Sequence, residues 1–230
     1  MIYQKEGSLY YEYDNETVRI DAWGQDAVRV RATKNHGFSS HDWALDGSDR
    51  KDGNVAIHED TGAGGQAYAN MYSGKNLSTG ILTNGKIRVK VNADGVVSFY
   101  NQEGKLLLKE NWRRLRDEPS MALDIPGREY KAASGDCFGA TVRFLGREGE
   151  KIFGMGQYQQ KYLDMKGCML ELAQRNSQVS VPFYVSNIGY GFLWNNPAVG
   201  RVTFGKNGTE WYAECTRQID YLVIAKDTPA

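Results

Sequence analysis

Apolar and polar residues alternate with period two along much of this chain. Val18, Ile20 and Ala22 are interleaved with Thr17, Arg19 and Asp21, and Val28, Val30 and Ala32 with Arg29 and Arg31. The pattern returns as Ile87, Val89 and Val91 against Lys86, Arg88 and Lys90. Successive side chains of a strand point to opposite faces, so this period predicts strands of antiparallel sheets with one buried face and one solvated face. Asn84-Gly85, Asp94-Gly95 and Asn207-Gly208 lie between the runs, and such dipeptides accept the positive φ of tight hairpin turns. Helical periodicity is weak. Residues 109–116 are the one candidate helix, limited by Pro119. Residues 47–65, rich in Gly, Ser and Asp, read as loops around a short strand over 55–58. Many hairpins and no long helix predict an all-β fold, an antiparallel β-sandwich.

Composition narrows the function. With 230 residues the chain is long enough to bury a substantial core as one large β domain or two small ones. No stretch approaches the roughly 20 apolar residues of a spanning helix, and the first seven residues lack the apolar run of a secretion leader. A cytoplasmic protein with no membrane partner is therefore expected. Lys plus Arg and Asp plus Glu both number 28, so no global field attracts nucleic acid, and the partner is expected to be neutral or small. Cys137, Cys168 and Cys215, odd in number and widely spaced, fit buried reduced thiols better than a disulfide framework or a zinc site. The chain closes with a strand over 221–224 and then Asp227-Thr228-Pro229-Ala230, where Thr suits an N-cap and Pro a first helical position. This reads as the start of a helix, and so as the front part of a longer protein.

Few residues carry a recognisable chemistry. Gly154-Met155-Gly156 lacks the third glycine of a dinucleotide loop, and His36, His41 and His58 have no metal-type spacing. No nucleophile elbow is present, so no cofactor, no metal and no hydrolytic triad are expected. Asp164 and Glu171 read as solvated strand charges. Amides and aromatics are dense between Gln157 and Asn196: Gln157, Tyr158, Gln159, Gln160, Tyr162, Gln174, Asn176, Gln178, Asn187, Trp194, Asn195 and Asn196. Planar amides donate and accept together while aromatic faces cover the apolar side of a sugar ring, so the cluster suits a hydroxyl-rich ligand. It equally suits a tyrosine-rich sheet with amide-capped turns.

One segment carries more. It runs Phe153-Gly154-Met155-Gly156-Gln157, then Leu170-Glu171-Leu172-Ala173-Gln174-Arg175-Asn176-Ser177, then Val181-Pro182-Phe183-Tyr184-Val185-Ser186-Asn187 and Gly189-Tyr190-Gly191-Phe192-Leu193-Trp194-Asn195-Asn196-Pro197. In this order the elements resemble the N-terminal β-sandwich, of galactose mutarotase-like type, of glycoside hydrolase family 31, the α-glucosidase and α-xylosidase family. The likeness is strong over 150–230 and diffuse before. It implies that residues 1–230 are a single non-catalytic N-terminal domain, followed in the parent by a (β/α)8 barrel that carries both catalytic aspartates. The parent would be a retaining α-glycosidase acting on an α-linked oligosaccharide or glycoside through two carboxylates ~5 Å apart. The resemblance places Gln174, Arg175, Asn176 and Ser177 on a loop that touches sugar hydroxyls at the barrel mouth. Asn176 stands where the family often has an acid; its amide is a weaker acceptor than a carboxylate, and the change leans toward the xylosidase side. Gly154 and Gly156 would give a tight backbone path beside the loop, and Pro182 and Phe183 core packing beneath it. Two other readings stand beside this one: an aldose epimerase-like sandwich, needing a His and a Glu as acid and base, and a stand-alone carbohydrate-binding module, with Tyr10, Tyr11, Tyr13, Tyr68 and Tyr72 as candidate platforms.

Overall fold

The computed structural model describes residues 1–60, 77–114 and 124–226. In chain order its strands begin with β1 (Ile2–Lys5), β2 (Ser8–Tyr13), β3 (Glu16–Trp23), β4 (Ala27–Thr33), β5 (Arg50–Lys51), β6 (Asn54–Asp60) and β7 (Leu77–Asn84). They continue with β8 (Ile87–Val91), β9 (Val97–Asn101), β10 (Leu106–Lys109), β11 (Arg113–Arg114), β12 (Asp124–Ile125), β13 (Arg128–Ala132) and β14 (Phe138–Leu145). The last are β15 (Ile152–Gln157), β16 (Met169–Leu172), β17 (Val179–Ser186), β18 (Tyr190–Trp194), β19 (Gly200–Phe204), β20 (Gly208–Thr216) and β21 (Ile219–Ala225).

A nine-stranded antiparallel sheet runs β1-β2-β3-β4-β21-β18-β17-β15, with β5 on β3. Two five-stranded sheets, β10-β9-β8-β7-β6 and β13-β14-β20-β19-β16, pack on one of its faces. Strand β21 lies between β4 and β18, so the first and last quarters of the chain are zipped together at the middle of the large sheet.

The alternation in the sequence fixes which face is inward. Ala22, Val28, Val223, Phe192 and Tyr184 stand side by side across five strands, and Ile20, Val30, Tyr221 and Trp194 form the next rung. They meet Leu82, Val89, Phe99 and Leu108 on one small sheet and Val142, Trp211, Val202 and Leu170 on the other. Trp211 stacks on Phe192 at 5.1 Å and on Trp194 at 5.6 Å, while Phe144 meets Tyr221 edge-on at 5.5 Å. Each large side chain buried here contributes roughly 1.5–3 kcal/mol.

Two expectations need correction, and a third is met by a longer strand. Residues 109–114 form no helix: Lys109 ends β10 and Arg113–Arg114 is β11, while 115 and 116 lie outside the described residues. The strand expected over 55–58 spans Asn54–Asp60, and residues 61–65 are not described. At Asn207-Gly208 a hairpin does join β19 to β20, but neither residue has positive φ; the three-residue loop 205–207 makes the reversal. At Asn84-Gly85 and Asp94-Gly95 the glycines do take positive φ, 53° and 82°.

A further correction concerns Arg29 and Arg31, expected on a solvated face. All of β4 is buried, because the segment between β4 and β5 folds over the outer face of the large sheet. Beneath it the Arg29 guanidinium pairs with Asp220 at 2.7 Å and with Asp42, and lies 4.9 Å over the Trp23 ring. Asp21 accepts from Ser8, Arg19, Arg31 and Arg50. Burial pushes the Asp21 carboxyl up, but the Ser8 hydroxyl and the Arg31 and Arg19 guanidinium groups outweigh it and hold it down at about 2. Between the sheets, buried Glu110 and Arg128 form a second ionic centre joined to Glu16 and to Tyr221. No helix among the described residues is long and apolar enough to cross a membrane.

Candidate functional site

The four residues singled out in the sequence, Gln174 to Ser177, form the exposed connection from β16, in a small sheet, to β17, in the large one. The turn is held from below. Gln174 donates its amide to Ser180 O (2.8 Å) and accepts from Ser180 N (3.1 Å), closing a two-bond clamp across the loop. Gln178 N donates to Arg175 O at 3.1 Å, and Ser177 takes φ 68° to complete the reversal. The Tyr158 hydroxyl reaches Ser180 Oγ at 2.7 Å and Glu171 O at 3.0 Å, tying both strands to the chain before the turn. Burial pushes the Tyr158 phenol up.

These bonds divide the four residues by role. The Gln174 amide is spent on backbone, and the Arg175 guanidinium is paired with Glu171 four positions earlier. The side chains of Asn176 and Ser177 have no hydrogen-bond partner among the described residues, so their donors and acceptors face outward from a fixed turn. An amide and a hydroxyl together offer donors and acceptors but no charge, a set suited to sugar hydroxyls.

The strand beneath explains the glycines. Gly154, Met155 and Gly156 have φ of 125°, 74° and 89°, and the β15–β17 register shifts between Gly154 and Gly156. A Cβ on Gly154 would stand 2.7 Å from Phe183 O, and one on Gly156 would overlap Val179 O and approach Val181 N at 2.9 Å. Only glycine lets β15 run this close to the strand leaving the turn. Met155 accepts the strained φ with its side chain fully buried. Pro182 and Phe183, expected in the core, are only half-buried; Tyr184 is the residue that enters it.

The rest of the amide cluster is mostly structural. Asn195 bonds Asp220 and Ala44 N, Asn196 bonds Thr216 and Gln218 O, Asn187 bonds Lys151 N and Gly149 O, and Trp194 is core. Asp164 caps Ile152 N and Lys166 N, and Glu171 is exposed, so the two carboxylates are not a pair. Tyr10 and Tyr11 are buried, Tyr13 is exposed, and Tyr68 and Tyr72 lie outside the described residues. None of the cysteines is fully buried, against expectation: Cys215 is exposed and the other two are intermediate. No group of three or more metal-capable side chains occurs among the described residues. Five large apolar side chains are exposed on β16, β17 and the chain before them: Met169 (69%) on β16, Val179 and Val181 on β17, and Tyr162 and Leu163 (80%) ahead of both.

Residues 17–202 match the glycosyl hydrolase 31 N-terminal galactose mutarotase-like domain. The chain belongs to this family. It is 39% identical over 232 residues to an uncharacterised family 31 glucosidase, ORF2, of Pseudescherichia vulneris, covering 96% of this chain and 40% of that protein. It is 31% identical to alpha-xylosidase A of Aspergillus niger, covering 94% of this chain and 29% of the relative. The crystal structure of a GH31 α-xylosidase from a soil metagenome, complexed with xylose, superposes with a TM-score of 0.84 at 40% identity, over 100% of this chain and 33% of that one. The family 31 domain described here thus spans well under half the length of each of these relatives.

Proposed function

We propose that residues 1–230 are the non-catalytic front domain of a retaining α-glycosidase that acts on α-xylosides or α-glucosides, and that the domain packs on a catalytic barrel and lends it the turn Gln174–Ser177. The observation that carries this reading is the outward-facing Asn176 and Ser177 on a turn clamped from below, in a family 31 domain that covers 29% of alpha-xylosidase A of Aspergillus niger and 33% of the soil-metagenome α-xylosidase. The barrel would supply both carboxylates of the double displacement. In this scheme Gln174 and Tyr158 position the turn, Arg175 is held by Glu171, and Asn176 meets a sugar hydroxyl. The exposed apolar side chains Tyr162, Leu163, Met169, Val179 and Val181 would be covered by the barrel. Xyloside preference is supported by the α-xylosidase relatives and by the amide at 176.

The test begins with the reading frame beyond the codon for Ala230. The protein it encodes should cleave aryl α-xylosides faster than aryl α-glucosides with retention of configuration, while the 230-residue chain alone turns over neither. Turnover by the chain alone, or a frame that stops at once and a chain that interconverts sugar anomers, would contradict the proposal in favour of an epimerase-like sandwich.

A further inference from the structure

Trp43, in the segment that folds over the outer face of the large sheet, is 57% exposed and takes φ 52°. Positive φ strains a bulky side chain and is free for glycine, so folding gains nothing from tryptophan at this position. The strain persists because the surroundings fix the turn. Leu45 N donates to Asp42 O at 2.9 Å, closing the turn around Trp43. Asp42 is tied to the buried Arg29 guanidinium, Ala44 N donates to Asn195 Oδ1 at 3.1 Å, and Ser39 N donates to Gln218 Oε1 at 2.9 Å. Leu45 packs against the cluster of Trp23, Ala27 and Leu222.

The indole is backed and left open. The His41 ring stacks on it with centroids 5.1 Å apart and planes 20° apart. The imidazole is placed in turn by Ser39, whose Oγ lies 3.2 Å from His41 Nδ1 and accepts from His41 N. The indole N–H and His41 Nε2 have no hydrogen-bond partner among the described residues. An exposed aromatic ring with a polar edge is thus held in place before any ligand arrives. Such a ring covers the apolar face of a sugar while its N–H meets a hydroxyl.

The strand register sets this turn beside the one at 174–177. Asn195, which holds Ala44, directly follows β18, and the turn Gln174–Ser177 leads into the start of β17. The two strands are antiparallel neighbours, with Phe183 opposite Leu193, so the start of β17 lies by the end of β18, one strand spacing of about 4.8 Å away. Both turns therefore stand at one end of the large sheet. Val179 and Val181, exposed where β17 alternates with the inward Ser180 and Tyr184, lie at that same end.

We propose that Trp43, backed by His41, is a platform for a second sugar ring of the substrate, next to the ring that meets Asn176. Resting on the α-glycosidase reading of this domain, the platform implies a substrate of at least two sugar rings and not a simple glycoside. It selects for length and takes no part in bond cleavage.

The test is steady-state kinetics of the whole protein on two substrates that share a glycone, xylose or glucose, whichever is cleaved faster. One is the α-glycosyl fluoride, which has no second ring; the other is the α-glycosyl-glucose disaccharide, which has one. Trp43→Gly removes the indole and suits φ 52°, so the urea midpoint should not fall. Its kcat/KM should drop about tenfold on the disaccharide, the loss of one ring contact, and stay within about twofold on the fluoride. Trp43→Phe should keep most of the disaccharide rate. An unchanged kcat/KM on the disaccharide in Trp43→Gly overturns the platform. So does an equal fall on both substrates, which would make Trp43 an anchor between domains. Asn176→Ala separates the platform from the reading beneath it, because it should slow both substrates. Rates that answer to Asn176 and not to Trp43 overturn the platform alone, and a whole protein that cleaves neither substrate overturns both.

Discussion

Replacing Gly156 with alanine tests how tightly the turn is seated. Gly156 has φ 89°, and its Cβ would overlap the carbonyl oxygen of Val179, one residue before the Ser180 that Gln174 clamps. Gly149 is its natural control, with φ 72° and nothing within 4 Å of where a Cβ would stand. Alanine at Gly149 meets only the torsional penalty of about 1–2 kcal/mol, partly offset by the 0.4–1 kcal/mol gained from a less flexible unfolded chain. Its net cost should be about 1 kcal/mol or less. At Gly156 the same penalty applies and β15 must also move away from β17, so the cost should reach about 3 kcal/mol, the range of backbone strain combined with overpacking. With a urea m value of about 3 kcal/mol/M, suited to a chain this long, the midpoint should fall by about 1 M for Gly156→Ala and by about 0.3 M for Gly149→Ala. Urea melts followed by tryptophan fluorescence measure both. Equal shifts in the two variants would refute the argument that close backbone approach, and not torsion alone, demands glycine at 156.

Other consequences are as direct. Gln174→Ala removes both clamp bonds and should speed amide exchange at 174–180 by roughly tenfold or more, about 1–3 kcal/mol of local opening, with the global midpoint little changed; unchanged exchange would remove the clamp. Asp21, held down at about 2 against an ordinary 3.8, should contribute about 2 kcal/mol of stability. Because the folded value is the lower one, that contribution is present above pH ~4 and is lost as pH falls through about 2. Acid melts should therefore flatten over that window in Asp21→Asn, and an unaltered acid slope would argue against the Ser8–Asp21–Arg31 network. Cys137 has its thiol pushed up, first by its hydrogen bond to Cys215 and then by burial. The exposed Cys215 should be alkylated first at neutral pH, and faster labelling of Cys168 would contradict the placement. The chain by itself should self-associate at high concentration through its exposed apolar side chains, and Leu163→Lys should reduce the apparent mass by light scattering.

Much of this fold is written in local pattern. The inward rungs of Val18, Ile20, Val28, Val30, Val89 and Val91 follow from period two alone, and the turns at Gly85 and Gly95 from their Asn-Gly and Asp-Gly dipeptides. What that period cannot report is what lies on the other face. Arg29 and Arg31 look solvated in sequence, yet Arg29 meets its partner Asp220 191 positions away, and a loop closes over both. Likewise nothing local marks Glu110 and Arg128 as buried. The turn Gln174–Ser177 was reachable only through resemblance to a family, because four polar residues between strands look like any loop. That Gln174 holds the turn while Asn176 faces outward depends on Ser180 coming back alongside, which is a tertiary fact.

The central claim is that this domain shapes a sugar site it does not operate. Steady-state kinetics of the whole protein on an aryl α-xyloside, with Asn176 replaced by alanine, test it most directly. Loss of one hydrogen bond to a neutral hydroxyl, about 0.5–1.5 kcal/mol, predicts a kcat/KM lower by about 2- to 10-fold, with turnover retained. A kcat/KM equal to that of the unaltered enzyme would place Asn176 away from the substrate, and complete loss of turnover in a folded variant would make it part of the bond-breaking machinery.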